Sequence, residues 1–100
     1  MKLRIKQKSL ALRLEGTELE TLMEQGEVIQ KLWLGPAPTS IRLSLANGPI
    51  NVTHRDGNFN FQISKENVET LIDTSKIGFL EEKESFSLII EKDIPKKRKD

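Results

Sequence analysis

The chain contains no cysteine. Disulfides, thiolate nucleophiles, iron–sulfur clusters and cysteine zinc sites are excluded together. Histidine occurs once, at His54, so no second imidazole exists to share a metal. A dominant charge sign is also missing: 16 Lys and Arg stand against 15 Asp and Glu, for a formal net charge of +1. No bulk field therefore draws the chain to nucleic acid or membrane, and any such case rests on local patches. No apolar run approaches the ~18 residues of a membrane span. The opening Met1-Lys2-Leu3-Arg4-Ile5-Lys6 carries charge with no apolar segment behind it, unlike a signal peptide. Phosphate loops, dinucleotide fingerprints and nucleophile elbows are absent too. The expectation is a cytoplasmic, non-enzymatic protein with no catalytic set, no cofactor, no metal and no membrane association.

What is present is a repeat. Leu12 to Val28 recurs forty-nine residues later as Phe61 to Ile77. Leu12 matches Phe61, Leu14 matches Ile63, Leu19 matches Val68 and Val28 matches Ile77. Glu20-Thr21-Leu22-Met23 aligns without a gap on Glu69-Thr70-Leu71-Ile72.

Each copy begins as a hairpin. Leu3 and Ile5 alternate with Lys2, Arg4 and Lys6, and Leu10, Leu12 and Leu14 alternate with Ala11 and Arg13. A turn at Gln7-Lys8 pairs Ile5 with Leu10 and Leu3 with Leu12, placing the aliphatic residues on one face. In the second copy Asp56-Gly57 is a strong two-residue turn signal, pairing His54 with Phe59 and Val52 with Phe61. Each hairpin feeds a short helix. Thr17-x-x-Glu20 reads as a capping box and Ser64 as an N-cap. Leu19, Leu22 and Met23, then Val68, Leu71 and Ile72, form the apolar stripe of a helix lying on a sheet. Gly26 closes the first helix.

A further hairpin follows each helix. The first runs from Val28 to Leu34, through Gly35-Pro36-Ala37-Pro38, to Ile41, Leu43 and Leu45. The second runs from Ile77 to Leu80, through Glu81-Glu82-Lys83-Glu84, to Phe86, Leu88 and Ile90. The three glutamates with Lys83 among them read as a solvated connection rather than a cation site. The unit is strand-strand-helix-strand-strand, used twice, with Asn47-Gly48-Pro49 as the joint. This predicts one α+β domain over residues 1–95, with half-repeats 2–48 and 50–93 related by a pseudo-twofold axis. Both short helices pack on one face of antiparallel sheet, with a closed barrel-like arrangement as the alternative. Residues 96–100 are expected to be a disordered basic tail.

Alternation sends Lys2, Arg4, Lys6, Ala11, Arg13, Ile29, Trp33, Arg42 and Ser44 away from the helices. Two uses of that surface suggest themselves beyond a solvated face. Ile29, Trp33, Leu80 and Ile89 would form an apolar patch for a protein partner or a second copy, giving a homodimer. Lys2, Arg4, Lys6, Arg13, Arg42 and Trp33 would instead bind single-stranded nucleic acid, the cations on phosphates and the ring on a base. Trp33 reads equally well as a cap on the core at a strand end. His54, in the slot of Ile5, reads as a partly buried structural histidine.

Lys2-x-Arg4-Ile5-Lys6, Ser9-x-x-Leu12-Arg13-Leu14, the Glu-rich short helix, the glycine near position 35 and the closing Glu91-Lys92-Asp93 resemble a family of small bacterial proteins catalogued as a domain of unknown function. Members often continue past Glu-Lys-Asp into an aromatic residue, a cysteine and a polar tail. Here Ile94-Pro95 and a lysine run stand instead, so no chemistry of that cysteine carries over. The resemblance implies bacterial origin and cytoplasmic location, and no activity. The function expected is that of an accessory or regulatory binding protein acting through a protein interface, with nucleic-acid binding as the alternative.

Overall fold

The computed structural model describes residues 1–33 and 35–93. Leu34, Ile94, Pro95 and the basic run Lys96 to Lys99, with the expectation of a disordered tail, lie outside the described residues. Among the described residues the chain forms eight strands and two helices: β1 Lys2–Lys6, β2 Ser9–Leu14, α1 Gly16–Gln25, β3 Glu27–Leu32, β4 Thr39–Leu45, β5 Asn51–Arg55, β6 Asn58–Ile63, α2 Lys65–Asp73, β7 Gly78–Glu82 and β8 Ser87–Lys92.

The alternating hairpins form in the expected register. Ile5 faces Leu10 and Leu3 faces Leu12, while His54 faces Phe59 and Val52 faces Phe61. Asp56 and Gly57 sit at φ of 54° and 78°, the paired positive values a type I′ turn requires. Gln7-Lys8 closes the same register without positive φ at either residue.

The hairpins then combine across the repeat. One sheet, A, has the order β1-β2-β8-β7, and the other, B, has β3-β4-β6-β5. Each sheet therefore holds one hairpin from each half. The outer ladders are antiparallel and the central ones, β2 with β8 and β4 with β6, are parallel. Exchanging the two halves converts one sheet's order into the other's, which is the pseudo-twofold symmetry the repeat implies. No ladder joins sheet A to sheet B among the described residues, so the strands form two sheets and not a closed barrel.

The inner faces of both sheets and the helices share one core. Leu12, Leu14, Leu88 and Ile90 come from sheet A, and Ile41, Leu43, Phe61 and Ile63 from sheet B. Leu19 and Leu22 of α1, Val68 and Leu71 of α2, and Ile50 just ahead of β5 complete it, with α1 packed on α2, β3 and β4. No polar or charged residue is fully buried among the described residues. No helix there is long and apolar enough to cross a membrane.

Three local expectations need correction. The capping pair of α1 is Glu15 and Glu18, not Thr17 and Glu20. The Glu18 carboxylate accepts the Glu15 N–H at 2.9 Å, because the helix already begins at Gly16. Glu18 also receives the Met1 amino group, which donates as well to Gln30 Oε1 at 3.0 Å, tying α1 to β3. The structural counterpart of Val28 is Phe79, not Ile77. Val28 pairs with Leu43 and Phe79 with Ile90, at equivalent places on the parallel seams. A longer link between α2 and β7 shifts the second copy, so Ile77 is left exposed ahead of its strand. For the same reason β7 extends through Glu82, and the tight connection is 83–86, with the Lys83 N–H donating to the Phe86 carbonyl at 2.8 Å.

The helices end differently. Gly26, at φ 84°, turns the chain out of α1 and donates to the Leu22 carbonyl. Ser64 caps the start of α2 as expected, accepting from the Asn67 N–H at 3.1 Å, but no glycine closes its end. Lys92 of β8 does that work, its Nζ donating to the carbonyls of Leu71 and Thr74 at 2.8 Å each. Lys92→Met keeps the aliphatic stem and removes both bonds. Its expected cost is about 1–2 kcal/mol, read as a lower urea midpoint at unchanged slope.

Candidate functional site

The ladders fix which side chains share each outer face. On sheet A the rows across β1, β2, β8 and β7 are Lys2–Arg13–Glu91–Gly78, Arg4–Ala11–Ile89–Leu80 and Lys6–Ser9–Ser87–Glu82. On sheet B, across β5, β6, β4 and β3, they are Asn51–Gln62–Ser44–Glu27 and Thr53–Asn60–Arg42–Ile29, and a third row, Arg55–Asn58–Ser40–Lys31, is joined at its middle by hydrogen bonds from Ser40 to the Asn58 side chain. The surface expected to carry Lys2, Arg4, Lys6, Arg13, Trp33 and Arg42 together is therefore divided. The first four lie on sheet A, Arg42 lies on sheet B, and Trp33 directly follows β3 of sheet B. Ile29 and Trp33 are separated from Leu80 and Ile89 in the same way. The cause is the pair of parallel seams, which joins each hairpin to one from the other half.

Sheet A is also less basic than its cations suggest. The Arg13 guanidinium meets Glu91 Oε2 at 2.8 Å from Nη2 and 2.9 Å from Nε, and Asp93 lies 3.9 Å from Nη1. Lys2 reaches Asp93 at 3.3 Å. Two cations and two carboxylates close a surface network, which leaves Arg4 and Lys6 on β1. On sheet B, Arg42 Nε lies 3.5 Å from Glu27 Oε1, with both side chains about half exposed. Trp33 is 72% exposed, so it does not cap the core.

A different feature lies where the two first hairpins turn. Strands β2 and β6 run away from their turns toward α1 and α2, so the helices leave the turn ends uncovered. There an open cleft of about 330 Å³ lies between the sheets, lined by Ile5 and Leu10 of sheet A, by Val52, His54 and Phe59 of sheet B, and by Phe86. Ile5 was expected beneath the helices. It does point to the inner face, but at the uncovered end, and is 63% exposed. His54 is likewise exposed rather than partly buried, its ring stacked on Phe59 at 4.4 Å and 26°. Ile5 and His54 are repeat counterparts, as are Leu10 and Phe59, so the cleft straddles the pseudo-twofold axis. The two first-hairpin turns carry Lys6, Lys8 and Arg55 against Asp56, and the connection that supplies Phe86 adds Glu82, Lys83 and Glu84 at the same end.

Residues 1–98 match the model of a family of unknown function, DUF7009. The chain belongs to this family. No curated protein and no solved structure gives a significant match. The match agrees with the domain-of-unknown-function family that the motifs resemble.

In this DUF7009 chain the pseudo-twofold axis also passes between the helices. Glu20, Met23 and Glu24 of α1 face their counterparts Glu69, Ile72 and Asp73 of α2 across a shallow groove of about 300 Å³. The helical end is thus acidic, while the turn end carries both signs. Sequence reasoning found Ile5 and His54 to be equivalent but did not bring them together. The signal was there: counterparts on a twofold axis converge wherever the axis leaves the molecule uncovered.

Proposed function

We propose that the protein is a non-enzymatic binding module of the cytoplasm that works through a protein interface, and that the interface is the cleft between the hairpin turns. The observation that carries this is the convergence of Ile5, Leu10, Val52, Phe59 and Phe86 in one open depression. Ile5 is exposed and the other four are half-buried, and apolar side chains gathered at the surface in this way mark protein contacts more often than scattered ones do. Lys6, Lys8 and Arg55 outnumber Asp56 on the two first-hairpin turns, with Glu82 and Glu84 set apart on the Phe86 side, which favours a segment with one or two large apolar anchors and acidic residues laid against those turns. His54 supplies the cleft with a polar edge for orientation, and the rest of the wall is mostly hydrocarbon.

The test is a titration of the 15N-labelled protein with a short Leu/Phe-containing peptide rich in Glu and Asp, beside a Lys-rich control. Shifts should gather at Ile5, Leu10, His54 and Phe59, and Ile5→Asp should weaken binding about tenfold or more, because it sets a charge in the apolar wall. Equal binding of the basic control, or shifts confined to either outer sheet face, would overturn this reading. Concentration-dependent dimerisation that Ile5→Asp abolishes would identify the partner as a second copy.

A further inference from the structure

The two outer faces descend from one repeat yet differ in chemistry. Sheet A presents the charged network and the Arg4–Ala11–Ile89–Leu80 row. At corresponding places sheet B presents amides and hydroxyls: Asn60 where sheet A has Ala11, Asn58 where it has Ser9, and Gln62 where it has Arg13. Arg42 lies beside Asn60, Arg55 and Lys31 end the row of Asn58, and Trp33 follows two residues beyond Lys31. Asn58 Oδ1 is already taken by Ser40, whose N–H and Oγ donate to it at 3.1 and 2.7 Å, which turns the amide nitrogen of Asn58 to other partners. Asn60 and Gln62 make no side-chain hydrogen bond among the described residues.

We infer that the outer face of sheet B is a second binding surface, for single-stranded nucleic acid, independent of the cleft. Three cations across four strands, roughly 14 Å from edge to edge at the usual strand spacing, match a chain of phosphates. Glu27 is the one carboxylate on the face, and it lies 3.5 Å from Arg42 Nε, an exposed pair that leaves the two terminal nitrogens of that guanidinium to a ligand. Neutral amides both donate and accept, as base edges do, and an exposed tryptophan offers a ring for stacking. A duplex buries its base faces and Watson–Crick edges, so only a single strand uses all three kinds of group. Sheet A has comparable cations, but its carboxylates occupy Arg13 and Lys2, and it carries no aromatic residue among these rows.

The experiment uses the full chain and a fluorescein-labelled ten-residue oligouridylate, read by anisotropy, with Trp33 emission followed in parallel. Binding should quench Trp33 and weaken with salt at a log–log slope of about −2, as expected for about three neutralised phosphates. Arg42→Glu and Trp33→Ala should each weaken it about tenfold. Arg4→Glu, on sheet A, and Ile5→Asp, in the cleft, should leave it within twofold. Thermal melts of each variant separate lost binding from lost folding. Binding that follows Arg4 instead of Arg42, equal affinity for a duplex of the same length, or no binding at low salt would overturn the inference. So would Trp33 emission that shifts with protein concentration and ignores the oligonucleotide, which would make this face a protein contact.

Discussion

Separated at the Asn47-Gly48-Pro49 joint, the two half-repeats are each expected to lose cooperative folding as monomers, and to recover it when mixed in equal amounts. Neither half can build a sheet beyond one hairpin, because the central ladder of each sheet joins strands from opposite halves. The residues that lose their neighbours are the innermost ones. Leu12 is paired with Ile90, and Leu43 with Phe61, all four almost wholly buried. A chain of about fifty residues buries little more than half of its unfolded surface even when well folded, and an isolated hairpin is at best marginal. Circular dichroism melts of each half and of the mixture would read this directly. A half that melts cooperatively at a concentration-independent temperature would contradict the interlock. A half that folds only as a homodimer would agree with it, since the pseudo-twofold axis already relates two such units.

Phe61→Ala should have the largest effect of any single core truncation, lowering stability by about 3–5 kcal/mol. Domains of this size are stable by only about 5–15 kcal/mol, so the variant sits near the limit of folding. Phe61 is fully buried on β6, an inner strand of sheet B. Its ladder neighbours on the two sides are Val52 and Leu43, and its ring lies 6.3 Å from that of Phe59. Leu43 and Phe59 belong to β4 and β6, which are held by backbone ladders on both sides, so they cannot close on the space an alanine leaves. Urea unfolding measures the loss. Leu12→Ala, at the equivalent position, should cost less because a smaller volume is removed. A loss below about 1 kcal/mol at Phe61 would mean that the core collapses around the gap.

Local signals account for what the sequence disclosed. Strict alternation with Asp56-Gly57 between its halves determined the hairpin registers, and the repeat transferred that certainty to Gln7-Lys8. The helices followed from Leu19, Leu22 and Met23 and their counterparts. The pairing of β2 with β8 left no such trace. Leu12 and Ile90 lie far apart in the chain, and an apolar inward residue carries no label for the strand it will meet. Once that pairing is unknown, the outer faces cannot be assembled, and so Arg4 and Arg13 were grouped with Trp33 across two sheets. The exposure of Ile5 was hidden for a related reason: alternation gives the face of a side chain, but not whether a helix reaches far enough to cover it. Val28 was matched to Ile77 because the repeat was carried past the helix without allowing for the longer link before β7.

The parallel seams also bear on how the protein is made. During synthesis the first half emerges with both of its hairpins complete and neither sheet closed. The strands that β2 and β4 need have not yet been translated. At ordinary elongation rates of ~5–20 residues per second, the second half follows several seconds later. Throughout that interval the apolar faces of β2 and β4 are open to water, each with an unpaired edge of the kind that recruits other chains. The β2–β8 seam joins strands from opposite ends of the chain, and pairing at such sequence separation slows the search for it once the chain is complete. Crowded ribosomes translating the same message would bring first halves close to one another, and their symmetry makes them mutually compatible. Exchange of hairpins between neighbouring nascent chains is thus the characteristic misassembly of this architecture.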